Sequence, residues 1–364
     1  MAARDAPRPP ARTPVVKRVA TLVVAGWLLL SASCTGAAQP GSEPSVPPTG
    51  ASTTPSSSAS AQPTMKQPQR RSTRVALVTA ELGNQLVVVS LPAGHVVRRI
   101  RVAPDPKTVS AASGGPVAVV SPGSGAVTVF GAGLRRMAVF RDFRAPQLAT
   151  FTPDGEYLLV TDAAAGTLTS IELARMRVVG RVAVGIGAHH LAVSPNDRCA
   201  WVALGESAHA LVVVDVADPR HMRVLRRLHP VAQAHDVAFD PDGRTVWVSS
   251  ASERYVSVYA AANGHLLDTV PAGPAPQHVL FAAGHAYVTS GYGASIEMVD
   301  AARRTVIHRV VLPYGSFNLA SAGRWLVATS VLDGEVTVLR AATLRRRAQT
   351  TVASVARSVA VLSR

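Results

Sequence analysis

Cysteine is nearly absent from this sequence of 364 residues, which contains only Cys34 and Cys199. So few cysteines exclude a disulfide-rich secreted domain and any zinc site built on paired C-x-x-C motifs. The G-x-S-x-G, P-loop and H-E-x-x-H motifs are also missing, and carboxylates are too sparse to suggest an acid and base pair. No short motif therefore assigns a catalytic activity.

Aromatic residues make up 5% of the chain, and lysine is limited to Lys17, Lys66 and Lys107. The formal charge of +15 therefore comes almost entirely from arginine. Because no stacking aromatic motif accompanies the arginines, we predict that nucleic acid is not a partner.

The apolar run Val19–Leu30, near the N-terminus, follows a basic stretch that contains Arg4, Arg8, Arg12, Lys17 and Arg18. Its 12 residues are too few to span the hydrocarbon core comfortably, which is roughly 30 Å thick. We therefore predict an export signal over residues 1–33 rather than a membrane-spanning anchor.

Small residues lead from this run into Cys34. The pattern resembles a bacterial lipoprotein signal, which implies that Cys34 is lipidated, becomes the new N-terminus and holds the protein at the outer face of the cell membrane. Ser31 departs from the family, which prefers Leu, Val or Ile three places before the cysteine. The alternative is ordinary cleavage near Ser33 or Ala38, which yields a secreted protein.

Residues 34–73 consist largely of Pro, Ser, Thr, Gly and Ala. Such a segment buries too little apolar surface to offset the entropy of ordering it, so we predict a disordered tether. A flexible chain of this length has a mean extension of roughly 30 to 40 Å.

Residues 74–364 are organised in repeats, of which Gln233–Pro274 is the clearest. Four short runs rich in β-branched and aromatic residues alternate there with the turns Asp242-Gly243 and Asn263-Gly264. Alternation and turns of this kind are typical of four antiparallel strands. Similar first strands recur every 40 to 46 residues, at Leu148, Leu191, Val237, Val279, Leu319 and Val359, and a more degenerate copy begins near Val109.

A period of about 40 residues with four strands in each copy is typical of a β-propeller. The second, third and fourth strands occur seven times, from Val75 onward, and residues 358–363 can supply the first strand that the opening unit lacks. We therefore predict an all-β fold over residues 74–364, a seven-bladed β-propeller of four-stranded antiparallel blades with the C-terminal strand closing the first blade.

The repeats resemble the YVTN-type family of seven-bladed propellers. The resemblance rests on Pro153-Asp154-Gly155, Pro241-Asp242-Gly243, Tyr287–Ser290 (YVTS) and the runs VVVDV (Val212–Val216) and EMVDA (Glu297–Ala301). It implies a propeller from a family of periplasmic and surface proteins whose functions are mostly unassigned. Blades two, six and seven lack the Pro-Asp-Gly turn, so we expect shorter inner hairpins there.

Arginines cluster around the fourth strands, which form the outer edges of propeller blades. Charge at an exposed edge discourages edge-to-edge aggregation. The alternative is a basic perimeter that attracts anionic lipid or an anionic envelope polymer.

Residues just before the first strands face the central channel, and one such column contains Ser110, Gln147, His190, Asp236, His278, Asn318 and Ser358. The column before it contains Pro146, His189, His235, Gln277, Phe317 and Arg357. One interpretation is a divalent metal at the channel mouth, with nitrogen ligands from His190 and His278 and an oxygen ligand from Asp236. His189 and His235 are alternate ligands. The other interpretation is a polar lining that hydrogen-bonds neighbouring blade loops.

From these observations we expect a monomeric, exported binding or scaffolding module without catalysis or a resident cofactor. Its partners are the membrane, through the lipid anchor, and a protein or an anionic envelope polymer. The alternative is a lactonase-like hydrolase with a metal at the channel mouth.

Overall fold

A computed structural model describes residues 74–205 and 209–363. The predicted signal peptide (1–33), the lipidation site Cys34 and the tether (34–73) lie outside these residues. The described residues contain 28 β-strands and two single-turn 3₁₀ helices, Pro122–Ser124 and Ala341–Thr343. No helix in this part of the chain has the length and apolar character needed to cross a membrane.

The strands form seven four-stranded antiparallel sheets, which are the blades of a propeller ring. In chain order they are β1 (Arg74–Ala80), β2 (Gln85–Ser90), β3 (Val96–Arg101), β4 (Thr108–Ala111), β5 (Val117–Ser121), β6 (Ala126–Phe130), β7 (Arg136–Phe140), β8 (Pro146–Phe151), β9 (Tyr157–Asp162), β10 (Thr167–Glu172), β11 (Arg177–Ala183), β12 (Leu191–Val193), β13 (Cys199–Ala203), β14 (Leu211–Asp215), β15 (Arg223–Leu228), β16 (Val237–Phe239), β17 (Thr245–Val248), β18 (Tyr255–Ala260), β19 (Leu266–Pro271), β20 (His278–Ala282), β21 (His285–Ser290), β22 (Ser295–Asp300), β23 (Thr305–Val311), β24 (Ser316–Ala322), β25 (Trp325–Ser330), β26 (Glu335–Arg340), β27 (Arg346–Thr351) and β28 (Ala356–Ser363).

The ring is closed by β28, which pairs with β1 from Arg74↔Ser363 to Val78↔Val359. Blade one therefore contains β28, β1, β2 and β3 in that order, and blades two to seven begin at β4, β8, β12, β16, β20 and β24. The prediction that residues 358–363 complete the first blade is confirmed, and the strand begins two residues earlier, at Ala356.

The core lies between neighbouring blades. Second and third strands are buried on both faces, which is why they appear in the sequence as nearly continuous apolar runs. Their large side chains, such as Trp201 and Trp247, pack against the next blade: Trp201 shares a cluster with Val237 and Tyr259 of blade five. Because each blade covers only its neighbours, the core is complete only when the ring is closed.

Hydrogen bonds near the channel join six of the seven junctions between blades, and we call this set the hydroxyl ring. In each, a Thr or Ser side chain donates to a backbone carbonyl of the next blade. The bonds are Thr79 to Lys107 (3.1 Å), Thr108 to Gln147 (2.8 Å), Thr161 to His189 (2.5 Å), Ser249 to Gln277 (2.7 Å), Thr289 to Phe317 (2.6 Å) and Thr329 to Arg357 (3.1 Å).

The inner hairpins of blades six and seven contain only two connecting residues, so the expectation of shorter hairpins is confirmed there. In blade two the strands are separated by five residues, as in the blades with a Pro-Asp-Gly turn. The turn itself is tighter, as expected, because its closing hydrogen bond joins Ala112 to Pro116, whereas that of blade three joins Thr152 to Tyr157.

Several arginines on or next to the fourth strands bind an adjacent blade. Arg227 donates to the carbonyl of Val184 in blade three at 2.6 Å, and Arg226 donates to Ala262 in blade five at 2.7 Å. Arg99 reaches the carbonyl of Val352, next to blade seven, at 2.8 Å. These arginines therefore connect blades in addition to charging the outer edges.

Candidate functional site

A cavity of about 410 Å³ opens at the channel mouth, where first strands begin and second strands end. All seven blades contribute to it. Its lining consists of Lys107, Thr108, Gln147, His189, His190, His235, Gln277, His278, Tyr292, Phe317, Asn318, Val331, Leu332 and Arg357. A cavity of this size can hold a small molecule.

Strand register corrects the two columns of residues proposed from the sequence. The first column is Thr108, Leu148, His190, Asp236, His278, Asn318 and Ser358, and the second is Lys107, Gln147, His189, His235, Gln277, Phe317 and Arg357. Thr108 and Lys107 thus replace Ser110 as the contribution of blade two. In blade three Gln147 belongs to the second column, where the sequence placed Pro146.

The misplacement in blade three has a specific cause. A bulge between Pro146 and Ala149 shifts the register, so that Ala149, and not Leu148, faces the core. Both residues are apolar, and the sequence pattern alone could not choose between them. All seven residues of the corrected second column line the cavity.

Asp236 lies beneath the cavity with a side chain that is 5% exposed. Its Oδ1 accepts a hydrogen bond from Nδ1 of His190 at 2.8 Å. Its Oδ2 lies 2.9 Å from Nδ1 of His278 and accepts the backbone N–H of Val279 at 3.2 Å. Burial by itself raises the pKa of Asp236, but His278 and His190 outweigh it and hold this pKa well below its ordinary range. Asp236 is therefore an ionised carboxylate that joins blades four, five and six.

His278 is the second histidine partner of this carboxylate. Burial alone lowers the pKa of His278, but the charge and hydrogen bond of Asp236, helped by the carbonyl of Leu319, raise it above the ordinary value. The ring of His278 therefore donates hydrogen bonds to Asp236 and to the carbonyl of Leu319. This arrangement favours a structural role for His278 over the metal-ligand role proposed from the sequence.

His189, His190 and His235 form a compact group, which we call the histidine triangle. The ring centroids of His189 and His190 are 4.7 Å apart, those of His190 and His235 are 4.9 Å apart, and those of His189 and His235 are 6.0 Å apart. Nδ1 of His189 is buried without a hydrogen-bond partner. The three side chains come from the segments that precede β12 and β16.

Two members of the triangle are poor proton acceptors. Burial, followed by the neighbouring His190 and His235, lowers the pKa of His189 to about 2. Burial and then His190 lower the pKa of His235 to about 3. Both rings are therefore neutral at physiological pH, and each keeps one ring nitrogen with a free electron pair.

The candidate metal site of the sequence is not preassembled in this conformation. Both oxygens of Asp236 accept hydrogen bonds from His190, His278 and Val279. Within residues 74–205 and 209–363, no group of three or more His, Cys, Asp or Glu side chains is gathered as a metal site requires. Asp236 thus orients histidines in the described structure and does not present a free oxygen to the channel.

Gln147 and Asn318 bind the loops at the channel mouth. Nε2 of Gln147 donates to the carbonyl of Ala145 at 3.2 Å, and Nδ2 of Asn318 donates to the carbonyl of Arg357 at 2.9 Å. The bond of Asn318 crosses to the next blade, as the polar-lining interpretation expects, whereas the bond of Gln147 stays within its own segment.

An aromatic and aliphatic wall faces the cavity from blades six and seven. Tyr292 contacts Phe317 with ring centroids 5.1 Å apart and Tyr314 with centroids 6.3 Å apart. Tyr292 and Leu332 are 57% and 59% exposed. Sequence analysis missed both, because they lie in turns between second and third strands, where no periodic pattern marks a residue as channel-facing.

Two cations complete the lining. Arg357 lies 3.3 Å from Glu81 and Lys107 lies 3.9 Å from Asp105, so each charge is partly balanced. None of the described residues that line the cavity is a carboxylate. The lining therefore combines imidazoles, amides, cations and one apolar wall.

The fold has counterparts among solved structures. A functionally unknown protein from Desulfotomaculum acetoxidans aligns with a TM-score of 0.71 and 13% identity over 79% of this chain and 98% of its own. Apo AztD from Citrobacter koseri aligns with a TM-score of 0.62 and 10% identity over 80% and 98%. Hydrazine synthase from Kuenenia stuttgartiensis aligns with a TM-score of 0.61 and 16% identity over 70% and 89%.

The chain has the seven-bladed propeller fold. No protein-family model matches the chain, and no curated protein matches it. The fold implied by the YVTN resemblance is confirmed, whereas membership of that family stays a prediction. At identities of 10% to 16% the structural likenesses establish the fold alone.

Proposed function

We propose that this protein is a non-catalytic binding module at the cell envelope and that the channel-mouth cavity is its ligand site. The observation that carries the proposal is a cavity of about 410 Å³ to which every blade contributes a side chain. Such a site exists only in the closed ring, and its polar groups converge from seven distant parts of the sequence. Concave sites with a few convergent polar groups are typical of ligand binding.

The lining indicates the chemistry of the ligand. Lys107 and Arg357 favour an anionic group, and the wall of Tyr292, Phe317 and Leu332 favours an apolar part beside it. We propose that a protein or an anionic envelope polymer supplies this group. Apolar side chains in other loops of the same face, such as Leu82 at 72% and Ile186 at 67% exposure, extend the surface that a partner can contact.

A binding role is better supported than the hydrolase alternative. A metal hydrolase needs ligands that leave one coordination position open and a group that activates water. The cavity lining contains no carboxylate, and both oxygens of Asp236 accept hydrogen bonds from neighbouring groups. Among the described residues, the alternative therefore lacks a preassembled set of metal ligands.

We propose that the propeller is exported and held at the outer face of the cell membrane by a lipid on Cys34. The support is the signal-like segment before Cys34 and the polar segment of residues 34–73 that separates it from β1. In detergent phase separation the wild-type protein should enter the detergent phase, and Cys34→Ala should enter the aqueous phase. Ser33→Ala is the matched control and should behave as wild type. Retention of Cys34→Ala in the detergent phase rejects the lipid anchor.

Native mass spectrometry of the full chain purified from the cell envelope tests the cavity. Leu332→Trp places a large ring at the mouth, whereas Leu82→Trp adds the same ring on the same face, outside the lining. We expect a bound partner, either a protein or a fragment of an anionic envelope polymer, in wild type and Leu82→Trp and its loss in Leu332→Trp. Equal occupancy in both variants contradicts the proposed site.

A further inference from the structure

The spacing of the histidine triangle matches a three-imidazole metal site. Imidazole nitrogens bind zinc at roughly 2.0–2.1 Å in tetrahedral geometry, which places the three ring centroids about 5 Å from one another. The observed distances of 4.7, 4.9 and 6.0 Å bracket that value. The backbone therefore holds the three rings at about the separation that one metal ion needs. The rings of His189 and His190 are stacked with their planes 11° apart, so a ring must turn before their nitrogens can share an ion.

Hydrogen bonding assigns a ligand atom to His190. A carboxylate accepts and does not donate, so Nδ1 of His190 must carry the proton that it shares with Asp236 at 2.8 Å. Nε2 then carries the free electron pair. A carboxylate that holds the other nitrogen of a metal-binding histidine fixes both its tautomer and its orientation.

His189 provides an independent observation. Its Nδ1 is buried and has no hydrogen-bond partner. Buried polar atoms without partners are uncommon and point to a group that completes them. In this location the missing partner is best supplied by an ion shared with His190 and His235, whose rings are the nearest aromatic neighbours of His189.

We propose that His189, His190 and His235 bind one divalent transition-metal ion at the side of the channel cavity, with Asp236 orienting His190 from behind. This inference rests on the proposed function, since it places the ion within the same ligand site. It replaces the set of His190, Asp236 and His278 that the sequence suggested. His278 is excluded because Asp236 and the carbonyl of Leu319 engage its proton donors.

Three imidazoles without a carboxylate select zinc, copper, nickel or iron(II) over calcium or magnesium. The fourth coordination position then faces the cavity, where Lys107 and Arg357 can hold an anionic ligand against the metal. Binding requires His189 and His235 to turn about their side-chain bonds while Asp236 holds His190, because the three rings are not gathered as a metal site in the described conformation.

The test is isothermal titration of the EDTA-stripped full chain with Zn²⁺, followed by visible spectroscopy with Co²⁺. We expect one Zn²⁺ per chain and the absorption of tetrahedral Co²⁺. His189→Ala and His235→Ala should each weaken binding at least 100-fold. Asp236→Asn should weaken it about 10- to 100-fold, as the loss of an orienting carboxylate does elsewhere.

Two control variants separate this site from its neighbours. Gln277→Ala removes a cavity residue at the position that corresponds to His235 in the next blade and should leave the affinity within about twofold. His278→Gln should also retain binding, with circular dichroism and melting confirming that each variant is folded. Absence of a saturable 1:1 Zn²⁺ site overturns the proposal. Unchanged affinity in folded His189→Ala or His235→Ala also overturns it, and loss in His278→Gln with retention in His235→Ala returns the site to the original set.

Failure of the metal site can be distinguished from failure of the proposed ligand cavity. A protein or polymer fragment that binds the metal-free protein and is lost in Leu332→Trp supports the ligand cavity even when no Zn²⁺ binds. Zn²⁺ that binds with equal affinity in wild type and Leu332→Trp, without any bound partner, supports the metal site alone.

Discussion

Nδ1 of His190, in blade four, donates to Oδ1 of Asp236, in blade five, across 2.8 Å. This bond lies at the one junction that the hydroxyl ring does not join, since Ala203 occupies the place where blades one, three, five, six and seven have a Thr or Ser. The second oxygen of Asp236 continues to His278 of blade six at 2.9 Å. The carboxylate of Asp236 thus joins blades four and five in place of a hydroxyl group, and it also orients His190 and His278.

Substituting Asp236→Ala should strongly destabilise the propeller. It leaves the partly buried side chain of His278 without its carboxylate partner and removes the acceptor for His190 and Val279. Removing one partner of a buried ion pair costs about 3 to 5 kcal/mol. Urea unfolding followed by circular dichroism measures the change. Asp268→Ala, on the exposed strand β19, is the matched control and should change stability little; an equal effect of both would contradict the role of Asp236.

The hydroxyl ring predicts a smaller but definite effect for Thr289→Val. Its Oγ1 donates to the carbonyl of Phe317 at 2.6 Å and accepts the backbone N–H of His278 at 3.3 Å. Valine has the same shape but leaves both buried groups unpaired, which costs about 1 to 3 kcal/mol. Thermal melting should show the loss, and Thr269→Val, on an exposed strand, should not. An unchanged melting temperature in Thr289→Val would mean that water or a shifted backbone replaces the bond.

Ring closure predicts that deleting residues 358–364 prevents formation of a stable monomer. The deletion removes most of β28, including Leu362, which is 0% exposed, and leaves the backbone of β1 without its partner. Size-exclusion chromatography and thermal melting should show aggregation or a large loss of stability. Melting that is unchanged from wild type would refute the closure argument. The point variant Leu362→Ala should lower stability by about 2 to 5 kcal/mol.

The buried carboxyl group of Glu297 should make the stability of the folded protein depend on pH. Its carboxylate is fully buried in β22, where Oε1 lies 2.8 Å from Arg309 while Oε2 has no hydrogen-bond partner. Burial raises the pKa of Glu297 above its ordinary value of 4.5 despite Ser295 and Arg309. A raised carboxyl pKa means that the folded state holds the proton more tightly, so this contribution to stability is complete below pH 4.5 and is lost as pH rises through the folded pKa.

Comparison with Glu297→Gln isolates this contribution, because the amide does not titrate. The melting temperature of wild type should fall relative to the variant as the pH is raised from 4.5 toward neutrality. Thermal scans at several pH values measure the difference. A difference that stays constant, or that moves in favour of wild type, would show that Arg309 compensates the buried charge in full.

Most of the blade architecture was predictable because its causes are local. Turns such as Asp242-Gly243 and Asn263-Gly264, together with runs that are buried on both faces, mark strands within a few residues. A column of Thr and Ser at the ends of the second strands, namely Thr161, Ser249, Thr289 and Thr329, marks the hydroxyl ring in the sequence. The site was harder to predict from the sequence, because the pattern marked His189 and His235 only as alternate metal ligands and did not mark Tyr292 or Leu332.

The number of blades, the four strands of each and the strand that closes the ring follow from the order of residues along the chain, since repeat spacing and turn chemistry are properties of contiguous residues. Tertiary structure alone decided which side chains meet at the channel. A one-residue bulge in β8 placed Gln147 in the second column, and the meeting of three blades made Asp236 an acceptor for His190 and His278. The physical reason is that strand register and side-chain pairing across blades depend on contacts between residues about 40 positions apart, which no local pattern encodes.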